Sequence, residues 1–109
     1  MDAFEKSAVV AIASKLPKKL IVRMGVLRLG NIILILMPFE PLFEIQIEIE
    51  KYLKQMGLQA IALVVGYSFD YLGYLSMEKN DTYESYMTFV EPLDIMRHAK
   101  ELIDKVINQ

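Results

Sequence analysis

The sequence predicts a small α/β domain: a mixed β-sheet with helices packed on it, in the order N-terminal helix, β-hairpin, crossover helix, parallel strand, C-terminal helix. Three observations predict it. Two short apolar runs, residues 32 to 36 and 60 to 65, flank a segment with helical spacing. A strand–helix–strand unit of this kind makes a right-handed crossover and leaves its strands parallel. Gly30-Asn31, just before the first run, is a two-residue hairpin signal and adds an antiparallel strand. Apolar residues on a helical period open and close the chain.

Residues 2 to 16 read as a helix. Asp2 can cap it, and Glu5 three positions later completes a capping-box pair. Phe4, Ala8, Ile12 and Leu16 keep the helical period and Pro17 stops it. Residues 20 to 29 read as a strand. Residues 32 to 37 form the second strand, whose unbroken apolar run suits a strand covered on both faces; Pro38 and Pro41 end it.

Residues 42 to 56 carry two signals at once. Glu44 to Glu50 alternates as a strand would, whereas Leu42, Ile45, Ile49, Leu53 and Met56 fit a helix. Three local features select helix. Pro41 suits a first helical position. Glu44 and Glu48 lie early and Lys51 and Lys54 late, as the helix dipole prefers. Gly57 can form the C-terminal cap. Residues 60 to 66 read as a buried strand, residues 71 to 77 as a short strand or irregular, and residues 78 to 81 as a surface turn. Residues 82 to 90 read as extended from their aromatic and Thr content. Residues 92 to 107 read as a helix begun by Pro92, with Ile95, Ala99, Leu102 and Val106 on its apolar stripe.

Composition bounds the function. A chain of 109 residues suits one domain spanning 1–109, and 54% hydrophobic content supplies a core. The net charge of −2, with both signs spread along the chain, argues against a nucleic-acid surface. Lys15, Lys18, Lys19 and Arg23 form the one basic cluster and read as a solvated loop. With no Cys, disulfides, thiolate chemistry and Cys-based zinc sites are excluded. The longest apolar run is far below the ~20 residues of a bilayer-spanning helix. Asp2 and Glu5 precede the first apolar stretch, against the pattern of a signal peptide. The expected location is cytoplasmic, and Asn80-Asp81-Thr82 reads as an ordinary turn rather than a glycosylation site.

Two positions stand out chemically. Glu40, in Met37-Pro38-Phe39-Glu40, directly follows one apolar strand; Tyr74 closes the stretch Gly66 to Tyr74 that follows the other. Loops at the carboxyl ends of neighbouring parallel strands are where α/β folds place binding groups, so the two oxygen donors can converge. Taken alone, Glu40 also reads as a carboxylate at a helix N-terminus. The dense Tyr67, Tyr71, Tyr74, Tyr83 and Tyr86 read either as packing with hydroxyls at the rim or as a pocket wall. His98 reads as a surface or half-buried helix histidine, and one histidine away from any nucleophile motif builds no Ser-His-Asp arrangement.

Leu27-Arg28-Leu29-Gly30 with the following strand, Pro38-Phe39-Glu40, the Gly66 to Tyr74 stretch and Tyr83-Glu84 together resemble the C-terminal end of the catalytic domain of the neutral ceramidases. The resemblance covers about residues 20 to 92. It implies that Glu40 and Tyr74 fall on zinc-ligand positions and that Tyr83 falls near a substrate-facing tyrosine. Phe39 stands where the family has Gly, and Asp70 where it has Asn. The family's two histidine ligands and its proposed serine nucleophile come from an earlier part of the domain and have no counterpart here. The resemblance therefore implies a ceramidase-like fragment or subunit, part of a zinc-dependent amidohydrolase site for N-acyl sphingoid or related amide substrates and inactive alone. A separate chain would carry the first part of the domain. The expected cofactor is none for the isolated chain, and zinc when a partner chain completes the site. The alternatives are a non-catalytic homo-oligomeric binding or assembly module, which the apolar helices suggest, and a truncated reading frame.

Overall fold

A hairpin follows the N-terminal helix. β1 (Gly25–Leu29) pairs antiparallel with β2 (Ile32–Leu36), Gly25 opposite Leu36 and Leu29 opposite Ile32. Gly30 turns the chain between them at φ 61°, a left-handed conformation glycine adopts without a Cβ clash. The computed structural model describes residues 2–13, 20–80 and 82–108. The strand expected over 20 to 29 is shorter than its apolar content suggested, since residues 20 to 24 approach it without pairing.

Beyond β2 the chain runs through Pro38 and Phe39 into β3 (Glu40–Pro41), a two-residue strand, and then α2 (Phe43–Gln55). The conflict over residues 42 to 56 resolves as helix. Ile45, Ile49 and Leu53 lie on its buried stripe, whereas the alternating Ile47 points outward at 38% exposure. Gly57 follows at φ 75°, as its capping role predicts. The helix starts later than expected: Leu42 is its N-cap, and Pro41 is held in β3 instead.

β4 (Ile61–Val65) returns parallel to β2, giving a three-stranded sheet in the order β1-β2-β4. The crossover and parallel pairing are as the sequence predicts. α2 packs against β4 and α4 (Pro92–Ile107) against β1, both on one face of the sheet. The core lies there: Ile33, Ile35 and Ala62 of the sheet meet Ile45, Ile49 and Leu53 of α2 and Ile95, Met96, Ala99 and Ile103 of α4. Tyr52 Oη donates to Asp104 Oδ1 at 2.6 Å and joins the two helices across the core's rim.

The opposite face differs from expectation. Continuous apolar runs predicted β2 and β4 covered on both sides, yet on this face Ile32, Leu34 and Leu36 of β2 are only half-buried, and Leu27 and Leu29 of β1 with Ile61, Leu63 and Val65 of β4 are exposed. No described element of the chain supplies a second layer over them.

Residues 82 to 90 are not the extended segment expected. They hold α3 (Tyr83–Tyr86), a single turn whose N-cap Thr82 accepts from Ser85 N through Oγ1. Local capping outweighs the β preference of its aromatic residues. Only Thr88 keeps strand character, bridging antiparallel to Gly73. α1 (Ala3–Ala13) packs against α3. Its capping box is formed: Glu5 N donates to Asp2 Oδ1 at 2.8 Å and Asp2 N to Glu5 Oε2 at 3.4 Å. The expected end of this helix at residue 16 and the basic positions 15, 18 and 19 lie outside the described residues. No helix among the described residues is long and apolar enough to cross a membrane.

Candidate functional site

Glu40 and Tyr74 meet in register. β3 pairs parallel with β5 (Tyr74–Leu75), Glu40 opposite Tyr74 and Pro41 opposite Leu75. Side chains at paired positions leave a sheet on the same side, so the two donors singled out from the sequence are neighbours in space. The main chain fixes both: Glu40 N donates to Gly73 O at 2.8 Å, and Tyr74 N to Met87 O at 3.1 Å. Phe39 does not disturb this arrangement. Its ring is fully buried in the core, which leaves the next residue facing outward.

The loop after β4 wraps the Met37–Glu40 backbone. Tyr67 N donates to Phe39 O at 3.0 Å, Ser68 N to Met37 O at 2.9 Å and Leu72 N to Pro38 O at 2.6 Å. Gly66 makes the approach possible, because a Cβ there would lie 2.6 Å from Phe39 O and 2.8 Å from Pro41 Cδ. The wrap strains the chain. Tyr67 and Phe69 take φ 57° and 72°, the left-handed region that residues with a Cβ rarely adopt. Such strain persists only where surrounding contacts over-determine it, and it concentrates at functional sites.

The strained loop brings further tyrosines to Glu40. Tyr71 Oη donates to Glu40 Oε2 at 3.3 Å. Tyr67 stacks on Tyr71 with ring centroids 5.3 Å apart. Glu40 marks all three phenols. Tyr67 is raised above its ordinary pKa chiefly by hydrogen bonding to Glu40. Tyr71 is pushed up to about 12 by burial first and then by the Glu40 charge. Tyr74 is raised by burial, then by the charge and hydrogen bonding of Glu40. A carboxylate ringed by phenols favours their neutral, hydrogen-donating form. Tyr83 closes the cluster on the other side, its ring edge-on to Tyr74 at 5.9 Å.

Thus Glu40, Tyr74 and Tyr83 come together. Tyr67 and Tyr71, read from the sequence as pocket wall, bear directly on Glu40. His98 stays apart on α4, 3.8 Å from Glu101 of its own helix. Asp70 caps its own turn, accepting from Tyr71 N at 2.8 Å.

The cluster places one carboxylate and phenol oxygens together. Zinc catalysis takes about three protein ligands, usually including His, with an open position for water. Among the described residues no group of three or more His, Cys, Asp or Glu side chains could hold a metal ion. Glu40 contributes one carboxylate, and phenols whose pKa lies above the ordinary value part with their protons reluctantly. Glu40 and Tyr74 are oxygen donors of a kind that can complete a shell begun elsewhere, but this chain alone does not fit the ion. Comparison with protein-family models, with curated proteins and with solved structures finds no match to the chain.

Proposed function

We propose that the chain contributes the glutamate–tyrosine half of a ceramidase-like zinc amidohydrolase site for N-acyl sphingoid or related amide substrates, and that a separate polypeptide contributes the histidine ligands and the nucleophile. The observation that carries the reading is the register pairing of Glu40 with Tyr74 at the strand ends, with Tyr83 against Tyr74. Zinc in such a site polarises the amide carbonyl and activates a water or hydroxyl. This chain's residues have simpler tasks. Glu40 offers its carboxylate to the metal. Tyr71 and Tyr67 hold that carboxylate in one orientation through their hydroxyls. Tyr74 offers its phenol oxygen, and Tyr83 lines the substrate side. Tyr74 would release its phenol proton more readily if a dication were held beside it to offset the Glu40 charge.

The test is complementation. The full chain is mixed with the first part of a neutral ceramidase catalytic domain, cut before the segment matching Leu27-Arg28-Leu29-Gly30. Expected are a stable complex, one zinc per complex by metal analysis, and zinc-dependent release of fatty acid from a ceramide analogue. Glu40→Gln and Tyr74→Phe should each lower zinc occupancy. Two well-folded pieces that neither associate nor retain zinc overturn the reading.

A second reading, a non-catalytic homo-oligomeric binding or assembly module, is favoured by one observation: the sheet face opposite the core is apolar and bare.

A further inference from the structure

We infer that the bare face of the three-stranded sheet is the contact surface of a symmetric dimer, in which two copies of this chain pack sheet against sheet. The inference deepens the module reading and is independent of the half-site, since the tyrosine cluster sits at the strand ends and not on this face.

The register defines the face. Leu27 and Leu29 of β1, the alternate residues of β2 and Ile61, Leu63 and Val65 of β4 all project to the side away from α2 and α4. Leu29 is 63% exposed, Ile61 54% and Leu63 45%. Phe69 extends the patch. Its ring lies against the position a Cβ on Gly25 would take, beside Leu36, yet remains 60% exposed. Phe69 is also one of the two strained residues, so an unfavourable backbone conformation holds an aromatic ring out over this face.

Sequence and structure disagree here in an informative way. β2 and β4 carry the unbroken aliphatic pattern of strands buried on both sides, and the chain covers one. A second copy suits the vacancy for three reasons. The exposed side chains offer on the order of 500 Å² per copy, so a pair reaches the ~1,000 Å² that a specific interface needs. The face carries no charged side chain, so a twofold axis brings no like charges together. Two such sheets stack with their strands within ~30° of each other and their inner side chains interdigitated.

Assembly through the outer edge of β4 is closed off. Gln46 of α2 donates through Nε2 to Ala62 O at 2.7 Å and accepts from Val64 N through Oε1 at 2.9 Å. Its amide takes the place of a neighbouring strand along β4.

The test uses the full chain in light scattering across a dilution series. Expected is a mass of twice 12.5 kDa that falls toward 12.5 kDa on dilution. Leu63→Lys should weaken the dimer by about 100-fold, since a charge is trapped between apolar faces. Phe4→Glu on exposed α1 should leave it intact. Leu63→Cys, a mild change in a cysteine-free chain, gives a second measurement: its thiol should react ~10-fold more slowly at high concentration than at low, as burial in a dimer requires. A wild-type mass of one chain throughout overturns the inference. So does a dimer lost in Phe4→Glu but kept in Leu63→Lys, or a thiol rate independent of concentration.

Discussion

Glu40 organises its surroundings because it is the one carboxylate in reach of three phenols, and each phenol gains by staying neutral beside it. Replacing it with Gln tests this directly. In Glu40→Gln the phenols of Tyr67, Tyr71 and Tyr74 should titrate at lower pH by phenolate absorbance. Tyr71 should stay above its ordinary value, because burial is the larger cause of its shift. Tyr52 is the internal control. It is pushed up to about 12 by its hydrogen bond to Asp104 and should not move. The sign for stability follows from linkage. A phenol whose folded pKa lies above its unfolded value near 10 stabilises fully below that pH, and the contribution is lost as pH rises toward about 12. The wild-type chain should therefore lose stability more steeply than Glu40→Gln between those values. Gly66 offers a second test. A methyl there collides with Phe39 O and Pro41, so Gly66→Ala should cost about 1–3 kcal/mol by urea melts and disturb the tyrosine cluster. The pair Glu40 and Tyr74 was legible in the sequence because Glu40 follows the apolar run of β2 and Tyr74 closes the stretch that follows β4. The left-handed turns at Tyr67 and Phe69 were not, since neither residue type signals a positive φ.

At the scale of elements, local chemistry was readable wherever capping and charge order agreed with the apolar period. α2 follows from its acidic start, basic end and Gly57; α4 follows from Pro92 and its apolar stripe, and it ends at Ile107 as expected. The segment 82 to 90 was misread because a Thr82 cap outweighed β-rich composition, a contest that residue preferences alone do not decide. The guarding of β4 was also hidden. Gln46 lies on the polar side of a helix, and nothing in its spacing shows that its amide will pair with a strand backbone. Gln46→Ala removes both hydrogen bonds and leaves Ala62 O and Val64 N without their partner. The expected loss is about 1–3 kcal/mol in urea unfolding, with the midpoint lowered and the slope unchanged. The freed edge should also aggregate faster at elevated temperature, read by turbidity. Wild-type stability and wild-type turbidity in this variant would remove the guarding role.

As a whole, the molecule packs its helices on one face of the sheet and leaves the apolar side chains of the other face exposed. The absence of histidine ligands beside Glu40 decides how the isolated chain should meet zinc. A ligand that binds the folded state stabilises it by RT ln(1 + [L]/Kd), so ~100 μM zinc acting on a site with a Kd of ~1 μM would add about 2.7 kcal/mol and raise Tm by ten degrees or so. One carboxylate and phenols held above their ordinary pKa do not make such a site. Tyr71 takes only Oε2 of Glu40, which leaves zinc a single carboxylate oxygen, and a bond to Tyr74 would have to displace its phenol proton. The purified chain should therefore show a Tm shift under ~1 °C at that zinc concentration, which corresponds to a Kd weaker than about 300 μM. It should release no fatty acid from a ceramide analogue, with or without the metal. A shift of several degrees that vanishes in both Glu40→Gln and Tyr74→Phe would show that the chain holds zinc unaided, and the need for a second polypeptide would fall with it.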